Sequence, residues 1–161
     1  MVKAKKETKY IGLPVDSGSF ATFYILKNRK TMAFKAFRSK KRAIEAYDMQ
    51  KLLDEHTMAP KVYGNVRKID YIGFDGKKNK SGWGYITEIA RTINDDDLRD
   101  DLNTYDFEDD RRGLVEWMHI ELGLDFGDCH SQNVGYVKRG KENVMVCIDT
   151  GAESFSGEYA Y

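Results

Sequence analysis

The side chains in this chain whose spacing carries the most chemistry are Asp128, Asn133 and Asp149. The first two stand five apart in Asp125-Phe126-Gly127-Asp128-Cys129-His130-Ser131-Gln132-Asn133, and the third follows an apolar run in Ile148-Asp149-Thr150-Gly151. A carboxylate, an amide five residues on, and a second carboxylate ahead of a small flexible pair suit phosphoryl transfer. One carboxylate faces an acceptor hydroxyl, while the amide and the other carboxylate hold Mg²⁺ on a nucleotide. Positioning and electrostatics do most of this chemistry, so no strong base is required. A lone Asp or Asn in a loop would only cap and turn the backbone. The ordered set, with a helix before Asp128 and a strand before Asp149, carries the reading.

The elements that must position these groups can be read in chain order. Residues 10–15, 20–26 and 31–37 read as strands rich in aromatic and β-branched side chains. Asp16-Ser17-Gly18-Ser19 and Lys27-Asn28-Arg29-Lys30 are the turns between them. On the third strand Lys35 shares a face with Ala33 and Phe37. A lysine in such a strand needs a charged partner, or an edge position from which it reaches water. Ser39 predicts the N-cap of a helix running to about His56. There Glu45, Met49, Leu52 and Leu53 fall on one side, which carries the Glu45 carboxylate toward the apolar face. Ala59-Pro60 ends that helix, residues 61–66 begin a fourth strand, 73–82 form a polar hairpin loop, and 83–90 make a fifth strand.

From Asn94 to Asp110 the chain turns acidic. That stretch reads as a solvated helical surface or loop, with a docking face for a basic partner as the alternative. Residues 108–124 read as a helix whose buried stripe is Leu114, Trp117, Met118 and Leu122. Residues 134–137 and 144–148 read as two strands joined at Arg139-Gly140-Lys141. Trp83 and Trp117 are expected in the core, and His56 and His119 on helix surfaces. His130 has no second His or Cys at metal-ligand spacing.

Composition bounds the partners. The 161 residues suffice for one domain with a real core. Charged residues are 32% at a formal net charge of zero, which argues against a general nucleic-acid binder. No apolar run approaches a membrane span, and the N-terminus lacks a signal-peptide core. Two cysteines without CxxC spacing fit a reduced, cytoplasmic setting.

On Asp128-Cys129-His130-Ser131-Gln132-Asn133, the chain resembles the protein-kinase-like superfamily, including aminoglycoside phosphotransferases and small phage protein kinases. The likeness to the D-x-H-x-x-N catalytic loop of the phosphotransferase branch is its strongest part, and the resemblance covers roughly residues 10–155. It implies an α+β, compact two-lobe kinase-like fold. A five-stranded antiparallel N-lobe sheet with one long helix would fill about residues 8–90 with the hinge, and a truncated, mainly helical C-lobe about 91–161. It implies ATP and Mg²⁺ as cofactors. Asp128 would be the catalytic base, Asn133 and Asp149 the Mg²⁺ ligands, and Lys35 the ammonium on the nucleotide phosphates with Glu45 as its partner. Gly18, Ser19 and Phe20 would form the tip of the phosphate loop, although Asp16 and Ala21 replace two of its glycines. Glu88 and Ala90 would offer hinge backbone groups to adenine, with Thr87 behind them. Two further departures are Phe126, where protein kinases carry His, and Thr150, where many carry Phe.

The expectation is a minimal serine/threonine protein kinase. Twelve residues follow Asp149, too few for an activation segment or for an acceptor pocket of the small-molecule kind. That favours a protein acceptor, with a phage effector acting on host proteins in the host cytosol as the setting. Autophosphorylation is expected in the tail at Ser154, Ser156, Tyr159 or Tyr161. Two other readings stay open. One is an aminoglycoside-type small-molecule kinase. The other is a pseudokinase-like binding module, favoured by the lost glycines and Phe126 and opposed by the retention of Lys35, Asp128, Asn133 and Asp149. Oligomeric state is not legible in the sequence.

Overall fold

The structure, a computed structural model, describes residues 11–17, 21–26, 29–72, 79–92, 104–127, 129, 133–151 and 154–157. Among these the chain forms strands β1 (Ile11–Ser17), β2 (Ala21–Leu26) and β3 (Arg29–Phe37), helix α1 (Lys40–Glu55), and strands β4 (Val62–Ile72) and β5 (Asn79–Glu88). Helix α2 (Thr104–Leu122) follows, then β6 (Leu124–Phe126), β7 (Val134–Arg139), β8 (Glu142–Cys147) and β9 (Phe155–Gly157). Two units divide the chain: Met1–Asp48 with Lys61–Ile89, and Met49–Pro60 with Ala90–Tyr161.

In the first unit the strands run in the order β1-β2-β3-β5-β4, each pair antiparallel. The alternation of β3 sorts its side chains onto two faces. Phe34 and Ala36 pack with Tyr24 and Ile69 on one. Phe37 packs with Tyr85, Ala43 and Ala46 on the other, where Tyr47 meets the Tyr85 ring edge-on at 5.3 Å. The small residues of α1 let the helix settle on these rings. Ser39 caps α1 as expected: its Oγ accepts the Arg42 N–H at 3.4 Å, and its carbonyl accepts the Ala43 N–H at 3.1 Å.

The second unit buries Phe107, Leu114, Met118 and Leu122 of α2 against Leu124, Phe126, Val134, Tyr136, Met145, Cys147 and Phe155. Met49, Leu53, Met58 and Ala59 join the same core. Gly123 ends α2 in the left-handed region at φ 61°, with its N–H donated to the His119 carbonyl at 2.9 Å. Strands β6 and β9 pair antiparallel, as do β7 and β8. Arg91 makes an isolated bridge to Tyr136 of β7, its N–H reaching the Tyr136 carbonyl at 2.9 Å. Among the described residues no helix is long and apolar enough to cross a membrane.

These observations correct the expected fold class. The described chain is sheet-rich rather than a helix-backed N-lobe sheet with a mainly helical C-lobe. Residues from Ala90 onward hold one described helix and four short strands. The long helix is not an N-lobe element throughout: from Met49 onward α1 belongs to the second unit's core. The physical reason is the phase of its buried side. Ala43, Ala46, Met49, Gln50 and Leu53 are buried, which turns Leu52 and Glu45 to the margin. A second correction concerns Trp117, which is 52% exposed. It falls outside the Phe107, Leu114, Met118, Leu122 stripe, whose spacing of three or four residues (or their sum) keeps one side of the helix inward. The polar loop expected over 73–82 is also shorter, because β5 already begins at Asn79.

Gly84 on β5 stands opposite Ala36, and a Cβ there would overlap the Phe34 ring and the Lys35 carbonyl. Replacement Gly84→Ala should therefore destabilise the protein by at least about 2 kcal/mol, as overpacking against backbone does. A urea unfolding midpoint equal to that of the wild type would refute this.

Candidate functional site

The β7–β8 hairpin assembles the centre of the site. Val134 pairs with Cys147, and one step beyond that pair the Ile148 N–H donates to the Asn133 carbonyl at 2.8 Å. The last residue before β7 and the first residues after β8 thus lie side by side. Asn133 and Asp149 come to one end of the hairpin for that reason. Oδ1 of Asp149 accepts the Gly151 N–H at 3.0 Å. The Cys147 thiol donates to the Asp149 carbonyl at 3.1 Å and the Cys147 N–H to the Met58 carbonyl at 2.8 Å, which fixes the backbone that presents the carboxylate. Asn133 is buried and Asp149 half-buried.

Ala90 is brought to the same hairpin. A Cβ built on Gly135 would lie 2.8 Å from the Arg91 carbonyl and 3.0 Å from both Ala90 Cβ and Ile148 Cδ1. Only a residue without a side chain lets the segment after β5 approach β7 this closely. Ala90 and Ile148, the residue before Asp149, thus both lie against Gly135 within the second unit. An amide and a carboxylate, both hard oxygen donors, suit Mg²⁺, which keeps several of its waters. Among the described residues, no three His, Cys, Asp or Glu side chains gather into a metal-binding group.

The other sequence-predicted residues divide as follows. Asp128 and His130 lie outside the described residues, as do Gly18, Ser19 and Phe20; the strands flanking the latter three pair with Ser17 opposite Thr22. Lys35 belongs to the first unit. It is 8% exposed on β3, opposite Tyr85 of β5, and its Nζ stands 5.9 Å from the centre of the Tyr85 ring. Glu45 is half-buried on α1 in the same unit. Glu88 closes the β4–β5 pair: its N–H donates to the Lys61 carbonyl at 2.8 Å, and its Oε1 accepts the Lys61 N–H at 3.1 Å. The buried Thr87 hydroxyl donates to the Glu88 carbonyl at 3.0 Å. Of the serines expected as autophosphorylation sites, Ser154 is 1% exposed, whereas Ser156 on β9 is exposed.

Sequence reasoning passed over three polar side chains of the second unit. Gln50, fully buried, donates from Nε2 to the Pro60 carbonyl at 2.9 Å and closes the turn after α1. The Tyr136 hydroxyl donates to Asp110 Oδ2 at 2.7 Å and ties β7 to α2. Arg111 donates from Nη1 to the Cys129 carbonyl at 3.1 Å. Gln50 and Arg111 share a signal that was available: each is a polar residue in phase with buried neighbours, Ala43, Ala46 and Leu53 for the first and Phe107, Leu114 and Met118 for the second. Comparison with family models and with curated proteins returns no match.

Burial, and then the hydrogen bond to Asp110, push the Tyr136 phenol above its usual 10.0. In the unfolded chain the phenol ionises near 10.0, while in the folded protein it keeps its proton to higher pH. Stability from this residue is complete below pH 10 and is lost as pH rises beyond it. Tyr136→Phe should cost about 1 kcal/mol at pH 8 and should flatten the alkaline decline. Unfolding midpoints measured from pH 8 to 11 test this, and parallel curves for the two proteins would contradict it.

Proposed function

We propose that this chain is an ATP- and Mg²⁺-dependent phosphotransferase acting on a hydroxyl, with a serine or threonine of a protein as the acceptor. The observation that carries the reading is the Ile148 to Asn133 hydrogen bond. It sets an amide and a carboxylate, sixteen residues apart in sequence, at one end of the hairpin. The order of groups in Asp128-Cys129-His130-Ser131-Gln132-Asn133, similar to the catalytic loop of the kinase-like superfamily, supports the same reading. Lys35 and Glu45 enter it through the sequence resemblance alone.

Each residue then has a task. Asn133 and Asp149 supply the oxygens for Mg²⁺, which when bound neutralises charge on the nucleotide phosphates. Gly151 and Cys147 hold Asp149 in place from its carboxylate and its carbonyl. Asp128 orients the acceptor hydroxyl and takes its proton as the oxygen attacks the γ-phosphorus. The bond from phosphorus to the bridging oxygen breaks, and ADP leaves with that electron pair. Ser156 is an exposed hydroxyl on which self-transfer can be sought.

Incubation with γ-labelled ATP, Mg²⁺ and a mixture of cellular proteins tests the proposal. Label should appear on protein serine or threonine and should fall by at least about a thousandfold in Asp128→Ala and Asp149→Ala. Mg-ATP at about a hundred times its dissociation constant should stabilise the native protein by roughly 2.7 kcal/mol, with most of that lost in Asp149→Asn. Turnover only in the presence of a small alcohol would replace the protein acceptor with a metabolite. Mg-ATP binding without transfer to either would mean a binding module.

A further inference from the structure

The backbone between β6 and β7 is anchored at three described points. The Gly127 N–H donates to the Ser154 carbonyl at 3.2 Å, the Cys129 carbonyl accepts from Arg111 Nη1 at 3.1 Å, and the Asn133 carbonyl accepts the Ile148 N–H at 2.8 Å. The outer two are backbone bonds that many sequences could make. The middle one depends on a single side chain. Arg111 follows Phe107 by four residues and precedes Leu114 by three, so it shares their side of α2, at the margin of the core and with its side chain 35% exposed. Its Nη2 is held by Glu108 Oε2 at 2.7 Å, one turn back, and that bond keeps the guanidinium pKa above its usual value.

The remaining nitrogen gives the position its meaning. Arg111 Nε is buried and has no hydrogen-bond partner among the described residues. An unsatisfied buried donor works against folding, and a methionine in this phase would suit the apolar stripe without one. What the guanidinium does, and an apolar side chain cannot, is fix the Cys129 carbonyl. Gly127 and Cys129 flank Asp128 in the chain, so both peptide neighbours of the assigned base are held.

We infer that Arg111 is a positioning residue for the loop that carries Asp128. The inference rests on the phosphotransferase reading and deepens it. Arg111 acts through the backbone it holds, not on substrate, so its loss should lower turnover while leaving nucleotide affinity intact.

The test compares Arg111→Met and Arg111→Lys with wild type, and takes Arg112→Ala as control, since Arg112 is exposed and pairs with Asp109 on its own helix. Three quantities are read: the unfolding midpoint, amide hydrogen exchange over residues 127–134, and transfer kinetics. Arg111→Met should keep the wild-type midpoint while exchange in that loop rises on the order of tenfold. Its kcat should fall on the order of a hundredfold, with KM for Mg-ATP unchanged. Arg111→Lys should recover part of both, because an ammonium can donate to the carbonyl but lacks the fork that Glu108 also grips. Arg112→Ala should match wild type throughout. Should Arg111→Met fail to fold, Arg111→Lys carries the comparison. Loop exchange unchanged in folded variants overturns the inference, and so does raised exchange with kcat intact. A wild-type protein that binds no Mg-ATP and transfers no phosphate overturns the phosphotransferase reading instead, and the exchange measurement still judges the anchor.

Discussion

The structure of the second unit turns on one backbone hydrogen bond, from the Ile148 N–H to the Asn133 carbonyl. It extends the β7–β8 pairing one step past the strands and so sets the register that brings Asn133 and Asp149 to one end of the hairpin. Around it the chain is buried without a break from Asn133 to Val137 and from Met145 to Cys147. A bond in such surroundings is shielded from competing water and is correspondingly firm. The contacts outside it follow in series. Met58 holds the end of β8, Cys147 and Gly151 hold Asp149, and Ser154 ties the segment after Asp149 back to Gly127. Each is a short-range consequence of the strands having closed at that point.

Much of this was legible before the structure. The alternation of β3 placed Lys35 with Phe37, and Ser39 gave the start of α1. The two runs around Arg139-Gly140-Lys141 gave the hairpin that presents Asn133 and Asp149. What failed was helix phase. Leucines and methionines drew the stripe of α1 toward Leu52, while Ala43 and Ala46 were passed over as neutral. Those alanines are in the core because the rings of Phe37 and Tyr85 leave room only for small side chains. On α2 the bulk of Trp117 outweighed its position, and Arg111 was passed over. Strands β6 and β9, three residues each, are too short to show any period. Their pairing depends on contacts about thirty residues apart, which local pattern cannot report.

The fold class was misjudged for a related reason. A motif order similar to that of a known superfamily was extended to a whole architecture. The elements after Ile89 are set by which residues bury one another, and here four short strands share that work with a single described helix. Function resides in a site grafted on a fold, so correcting the fold leaves the placement of Asn133 and Asp149 at one end of the β7–β8 hairpin unchanged.

The two tryptophans lie one in each unit, in unlike surroundings. Trp83 is half-buried on β5 with the Lys40 ammonium 4.7 Å from its ring centre. Unfolding of the first unit strips away that cation and wets the indole, so the emission of Trp83 must change. Trp117 on α2 is already 52% exposed, so unfolding changes its surroundings less. Fluorescence of the intact protein therefore follows the first unit more strongly than the second.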